Sequence, residues 1–351
     1  MDPSWRGVIK SSTEVLFSPE KMQLQHLSYG QPLKLSDFAR VPHVPKVKVH
    51  WTNVKGLESL TFAFPAPWAL THLEMMLHDY ASHDDHPPLS AVLDAIMSCK
   101  DTLRVCSVWA AIASIEPAVL ARPAVKFPVL ESLNLHDEGA CLALLISAPK
   151  LQDLFIEGNP TCEGRKGQRY ISEEQALFRL KTLLDRSGDC PCLRSLVLFS
   201  SDLDKGDLVA LLRRLSSLTE LQLIERWDAE ATPSILDALT RKPEDLASMS
   251  LLPLLTSLTI CDADEDGSDR YPIWDWYKSV VRSRLVRMRL NGRQLACLKE
   301  CHTISEYSFG GIRGGEYDMT IERLDEDMSE GGSDVDNMDM SSVESADEAK
   351  A

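Results

Sequence analysis

Three observations predict an α/β chain built as an array of short parallel strands with helices outside them. One phrase, Leu-x-x-Leu-x-Leu, recurs along most of the 351 residues. Inside each copy the spacing of the last two apolar residues is two, the period of a strand with one buried face. Between copies lie stretches whose apolar residues fall at helical spacing, as in Ala140, Leu142, Leu144, Leu145 and Ile146 between the phrases at Leu130 and Leu151.

The phrases, in order, are Leu57-Leu60-Phe62, Leu70-Leu73-Met75, Leu103-Cys106-Val108, Leu130-Leu133-Leu135, Leu151-Leu154-Ile156, Leu193-Leu196-Leu198, Leu218-Leu221-Leu223, Leu255-Leu258-Ile260 and a degenerate Leu285-Met288-Leu290. Their leading leucines are 13 to 42 residues apart, against roughly 20–29 for a regular leucine-rich repeat. The expectation is therefore an irregular leucine-rich-repeat solenoid: a horseshoe with parallel strands on the concave face, helices outside, and insertions between units. Helices are expected at 89–98, 139–147, 172–185, 205–215, 233–240 and 273–284; Ser172 with Glu173 and Glu174 supplies an N-terminal signal, and Pro149 ends the second. Residues 1–45, broken by Gly7, Gly30, Pro32, Pro42 and Pro45, read as a partly ordered cap that runs into a first strand near Lys46 to His50. The array spans 46–323, closing with one helix and a strand near 317–322, and the acidic segment 324–351 reads as disordered.

Charge and composition limit the function. Ten acids against one base give 324–351 a net charge of −9, leaving −7 on the other 323 residues. That balance disfavours nucleic acid as a partner, since phosphate binding needs clustered Lys and Arg. No apolar run is long enough for a signal peptide or a membrane span. The nine cysteines sit mostly in apolar phrases and read as small buried hydrophobes, which predicts a reducing cytoplasmic or nuclear location.

In a Leu-x-x-Leu-x-Leu strand the residues on either side of the second leucine point away from the core. This yields the predicted partner-binding surface: His72, Glu74, Val105, Asn134, Asp153, Phe155, Val197, Glu220, Gln222, Arg287 and Arg289, with Phe155 and Val197 an apolar centre beside Asp153 and Glu220. Motifs for chemistry fall short. His78, His83 and His86, among Asp79, Asp84 and Asp85, offer metal-ligand types in a polar insertion without helical His-x-x-x-His spacing, so a metal-dependent enzyme is only a remote alternative. Asp262, Asp264, Asp266 and Gly267 open a calcium loop whose twelfth position is Ile273 rather than Glu. Cys190-Pro191-Cys192 and Cys297-x-x-x-Cys301-His302 lack zinc spacing. No nucleophile, zincin or dinucleotide motif is present, so the prediction is a non-enzyme without a cofactor.

Two charge features remain. Lys278, Arg282, Arg284, Arg287, Arg289 and Arg293 form a basic stretch onto which the acidic tail could fold. Ser333, Ser341 and Ser345 each precede an acid by three residues and are phosphorylation candidates.

The succession FPVLESLNL, APKLQDLFIEG, CPCLRSLVLFSS, LSSLTELQLIE and LLPLLTSLTICD resembles the C-terminal region of fungal F-box and leucine-rich-repeat proteins over residues 46–323. The resemblance implies a substrate-binding solenoid and, as an alternative, a substrate receptor that joins the Skp adaptor and a cullin ubiquitin ligase. The F-box itself, which would begin with a leucine-proline pair and short apolar helices, has no counterpart in residues 1–30, and only Asn159 fits the asparagine position that follows the last apolar residue of the phrase.

Overall fold

The computed structural model describes residues 13–18, 21–27, 45–52, 64, 68–77, 89–110, 117–157, 175–200, 205–225, 231–262, 273–305 and 316–317. In chain order the strands are β1 (Thr13–Ser18), β2 (Lys21–Leu27), β3 (Lys46–Thr52), β4 (His72–Leu77), β5 (Val105–Ala110), β6 (Val125–Lys126), β7 (Ser132–Asp137), β8 (Ile146–Ser147), β9 (Asp153–Glu157), β10 (Ser195–Ser200), β11 (Glu220–Glu225), β12 (Ser257–Asp262), β13 (Arg289–Leu290), β14 (Arg293–Gln294), β15 (Glu300–Ser305) and β16 (Glu316–Tyr317). The helices are α1 (Leu89–Met97), α2 (Pro117–Leu120), α3 (Gln175–Ser187), α4 (Lys205–Arg214), α5 (Ala231–Leu239), α6 (Leu246–Ser250) and α7 (Ile273–Leu285). Twelve strands form one sheet in the order β1-β2-β3-β4-β5-β7-β9-β10-β11-β12-β15-β16. Its terminal pairs β1–β2 and β15–β16 are antiparallel, and every pairing between β2 and β15 is parallel.

The repeat phrase sets the register. Val47, Leu73, Cys106, Leu133, Leu154, Leu196, Leu221, Leu258 and Cys301 pair in one unbroken row across nine strands. All nine are buried, and they share one hydrophobic core with Leu93, Leu180, Leu212, Leu236 and Val281 of the helices. Helices therefore cover one face of the sheet, and the alternate strand residues occupy the other.

A second row of contacts fixes where each strand starts. The carbonyl of Thr71 accepts from both Arg104 N–H (2.8 Å) and Val105 N–H (2.9 Å). The same fork recurs from Pro45 to Thr71 and His72, from Arg104 to Glu131 and Ser132, and from Glu131 to Gln152 and Asp153. It continues from Gln152 to Arg194 and Ser195, from Arg194 to Thr219 and Glu220, from Thr219 to Thr256 and Ser257, and from Thr256 to Lys299 and Glu300, all at 2.7–3.2 Å. Just before the strand a tight turn closes: Leu151, Leu193, Leu218 and Leu255 donate their N–H to Ala148, Cys190, Leu215 and Leu252. Pro149, Pro191 and Pro253 sit second in three of these turns, where their fixed φ fits.

Several expectations need correction. The ninth phrase, Leu285-Met288-Leu290, is not a strand of the large sheet: Leu285 ends α7, and Arg289–Leu290 pairs with Arg293–Gln294 in a two-residue hairpin. Asn291 and Gly292 at its tip have φ of 51° and 79°, the left-handed pair that such a turn demands, and Asn-Gly was its sequence signal. The sheet position passes to Leu298-Cys301-Thr303, whose last two residues lie on β15, so a strand stands in the closing segment where one helix was expected. The stretch 139–147 is a 3₁₀ helix over Glu138–Leu144 followed by β8, which pairs with β6. This is the shortest crossover in the row, 21 residues from Leu133 to Leu154, and a 3₁₀ turn covers more length per residue than an α-helix. A Cβ on Gly139 would lie 3.1 Å from the Val108 carbonyl oxygen, so the turn rests directly on β5. The other expected helices form: 89, 205 and 273 are their starts as expected, and the remaining ends move by one to three residues. Strands β1 and β2, which weak periodicity did not reveal, lie in the stretch expected to be a cap and extend the sheet. The phrase at Leu57 and the tail from Leu324 lie outside the described residues.

Arg284 is wholly buried, so it does not belong to a solvent-facing basic patch; Arg282, Arg287, Arg289 and Arg293 are exposed. Its guanidinium donates to the carbonyls of Leu239 (2.8 Å), Leu252 (3.1 Å) and Leu251 (3.0 Å), tying the end of α5 to the turn before β12. Burial, then the charge of nearby Arg241, lowers its pKa to about 9, still high enough to keep it protonated at neutral pH. Burial also raises the thiol pKa of Cys99 to about 12 and of Cys190 and Cys301 to about 11, so these cysteines act as packing groups rather than nucleophiles.

Replacing Leu196 by Ala should cost on the order of 2–5 kcal/mol in urea denaturation, since it empties part of the core row. Gln222→Ala, on the opposite face, should change stability by no more than about 0.5 kcal/mol. Arg284→Ala leaves three interior carbonyls without their donor and should cost on the order of 3–5 kcal/mol; an unchanged melting transition would contradict the assigned contacts.

Candidate functional site

Because the period of a strand is two, the face turned away from the helices is written in three register rows. The first holds Lys46, His72, Val105, Ser132, Asp153, Ser195, Glu220, Ser257 and Glu300. The second holds Lys48, Glu74, Ser107, Asn134, Phe155, Val197, Gln222, Thr259 and His302. The first two rows contain nine of the eleven expected surface residues. Arg287 and Arg289 are absent from both, because Arg287 precedes the β13–β14 hairpin and Arg289 begins it; Glu300 and His302 take the corresponding strand positions.

The third row was missed. Met76, Trp109, His136, Glu157, Phe199 and Ile224 follow one residue after the last apolar position of each phrase. The strands run on past the Leu-x-x-Leu-x-Leu phrase, and continuing the alternation by one more step would have found them. Except for Glu157, this row is apolar or aromatic.

Its centre is a ring cluster across three neighbouring strands. The His136 ring lies 3.9 Å from that of Trp109 and 4.4 Å from that of Phe155, centroid to centroid, tilted by 31° and 32°. Parallel pairing places Trp109 beside His136, and Glu157 follows directly after the last register pair of β7 and β9, Leu135 with Ile156. His136 Nδ1–H donates to Glu157 Oε2 at 2.6 Å, which fixes the ring orientation. His136 is only 9% exposed, whereas Trp109 is 37% exposed, so the histidine acts as filler that presents the indole. The cluster offers a rigid aromatic platform at low conformational cost to a ligand.

Charge is distributed unevenly along this face. At the β3–β4 end stand Lys46, Lys48 and His72, with Lys48 paired to Glu74. His72 Nδ1 is within 2.8 Å of Thr71 Oγ1, and burial, then Lys46 and Arg104, lowers its pKa below the ordinary histidine value. The unfolded chain therefore takes up this proton first, and acidification through the usual histidine range draws stability away from the fold. From β7 to β15, all the described far-face side chains that carry a charge, histidines aside, are carboxylates: Asp153, Glu157, Glu220 and Glu300. Asp153, Glu220 and Glu300 are exposed.

Among the described residues no group of three or more His, Cys, Asp or Glu is placed to hold a metal, and no helix is long and apolar enough to cross a membrane. His78, His83 and His86 lie outside the described residues, as do the calcium-like loop beyond Asp262 and the serines Ser333, Ser341 and Ser345.

No protein-family model matches this chain, and no curated protein matches it. Among solved structures it is similar to the crystal structure of the leucine-rich repeat-containing protein LegL7 from Legionella pneumophila, at 12% identity and a TM-score of 0.41, over 90% of this chain and 99% of that one. At that score the reading of this fold rests on its own register: a large parallel sheet with helices on one face, in the manner of a leucine-rich-repeat solenoid.

Proposed function

We propose that this chain is a non-enzymatic protein-interaction solenoid whose far sheet face binds a partner protein. The observation that carries the reading is the Trp109–His136–Phe155 cluster, three aromatic rings stacked across neighbouring strands on the face turned away from the helices, with Trp109 exposed. Tryptophan at the centre of a rigid polar-rimmed surface is the residue type that most often dominates binding energy. Around it, Asn134, Val197 and Gln222 give a half-exposed polar and apolar surround, and His72, Glu74 and Val105 extend it toward β4. The buried thiols fit a reducing cytoplasmic or nuclear setting.

The narrower reading, a substrate receptor of a cullin-type ubiquitin ligase, has the resemblance of the repeat phrases in its support. Co-purification of the Skp adaptor and a cullin with the native-level protein tests it.

For the main reading, the double substitution Trp109→Ala with Phe155→Ala should weaken the principal captured partner by about 30-fold or more, the equivalent of a hot spot of roughly 2 kcal/mol. Circular dichroism and melting should stay close to those of the parent. Equal recovery of every partner by the parent and the double variant would remove this face as the binding surface.

A further inference from the structure

The alternation of acids along the first row has a definite geometry. Asp153, Ser195, Glu220, Ser257 and Glu300 are consecutive register partners on β9, β10, β11, β12 and β15, so a carboxylate falls on every second strand with a serine between. With neighbouring strands about 4.8 Å apart, the carboxylates recur at about 10 Å. Exposed and on one side of the sheet, they face solvent as a line rather than a cluster. The exposed bases Arg194 and Lys299 stand one residue before Ser195 and Glu300, and Lys150 three before Asp153; none of them occupies a position of the carboxylate row itself.

This line ends at the aromatic platform. On β9, Asp153 and Phe155 are successive far-face residues, and the Phe155 ring continues through His136 to Trp109. Glu157, two residues beyond Phe155 on the same face, puts a fourth carboxylate beside the rings, held by His136. A ligand laid across the strands would thus meet aromatic faces at one end and evenly spaced negative charges toward the other.

We infer that the partner segment bound here is an extended basic peptide with arginines three residues apart, its cations over Asp153, Glu220 and Glu300 and one end against Trp109 and Phe155. This rests on the far face being the binding surface, as proposed above, and names the chemistry of its occupant. Side chains three apart in a polyproline II segment recur at about 9 Å, close to the carboxylate spacing, whereas same-side residues of a β-strand recur at about 7 Å. Arginine suits both halves of the surface, since its planar guanidinium forks onto carboxylates and stacks on indole. An acidic segment would meet four carboxylates, and a nucleic acid would meet them with its phosphates.

The test uses the full chain and a fluorescein-labelled peptide of repeated Arg-Pro-Pro units, followed by fluorescence anisotropy at low and physiological salt. A second peptide has the same composition with its arginines consecutive. The expected result is saturable binding of the spaced peptide that weakens as salt rises, at least about tenfold weaker binding by the variant Asp153→Asn/Glu220→Gln/Glu300→Gln, and severalfold weaker binding of the clustered peptide. Equal affinity of parent and variant, equal affinity for both arginine arrangements, or no binding at low salt would each overturn the inference. Where the inference fails but partner capture still depends on Trp109 and Phe155, the far face remains the binding surface with a different occupant; where capture is also insensitive to those rings, both readings fall.

Discussion

Everything in this array depends on a backbone carbonyl shared between two N–H groups of the next repeat. From Pro45 through Thr71, Arg104, Glu131, Gln152, Arg194, Thr219 and Thr256, the same oxygen position accepts twice. No side chain is required, which explains how residues as different as Arg, Glu, Thr and Pro occupy the position. Regular repeats often rely on an asparagine side chain to tie neighbouring turns, and the sequence has little of it; the backbone fork and the turn before each strand supply the equivalent restraint here. With the strand starts fixed, crossovers of 21 to 43 residues between successive core-row positions from Leu73 to Cys301 all return to the same register. The irregular spacing of the phrases is therefore a property of the helical side of the molecule and leaves the sheet regular.

That division explains what the sequence made legible. Seven phrases, from Leu70 to Leu255, were readable because both of their inner apolar residues enter the core, and burial of one strand face tolerates no slip of register. Cys106 could stand for leucine without hiding its strand, since Val108 and Leu103 kept the pattern. Leu298-Cys301-Thr303 hid because two of its three positions depart from leucine, while Leu285-Met288-Leu290 imitated the phrase by joining a helix end to a hairpin. The apolar spacing of that decoy is misleading, but Asn291-Gly292 directly after it is a turn signal with a physical cause. The third far-face row was overlooked for a different reason. The repeat phrase describes what packs inward, and it ends before the strand does, so Trp109 and His136 stood just past the last residue that the pattern covers.

The same logic separates structural from functional charge. Arg284 looks in sequence like one more member of a basic run, yet it is consumed in the interior, where three carbonyls at the junction of α5 and β12 converge on it. Linear charge counting cannot see this, because the helix period turns one arginine of the run inward and leaves Arg282 outside. On the sheet, by contrast, charge that looks scattered in sequence becomes ordered. Asp153, Glu220 and Glu300 are 67 and 80 residues apart along the chain and only two strands apart in space. The array thus converts widely separated single residues into a surface with a direction, from lysines near β3 through rings at β5–β9 to carboxylates at β15.

The central claim, that a continuous backbone ladder holds the sheet in register whatever the crossover length, is tested most directly by residue-resolved amide hydrogen exchange. The account predicts slow exchange for the paired amides Arg104/Val105, Glu131/Ser132, Gln152/Asp153, Arg194/Ser195, Thr219/Glu220, Thr256/Ser257 and Lys299/Glu300, with no drop across the long crossovers that precede Arg194 and Lys299. Rapid exchange confined to those two pairs would contradict it, and would mean that the long insertions divide the molecule into separately opening blocks.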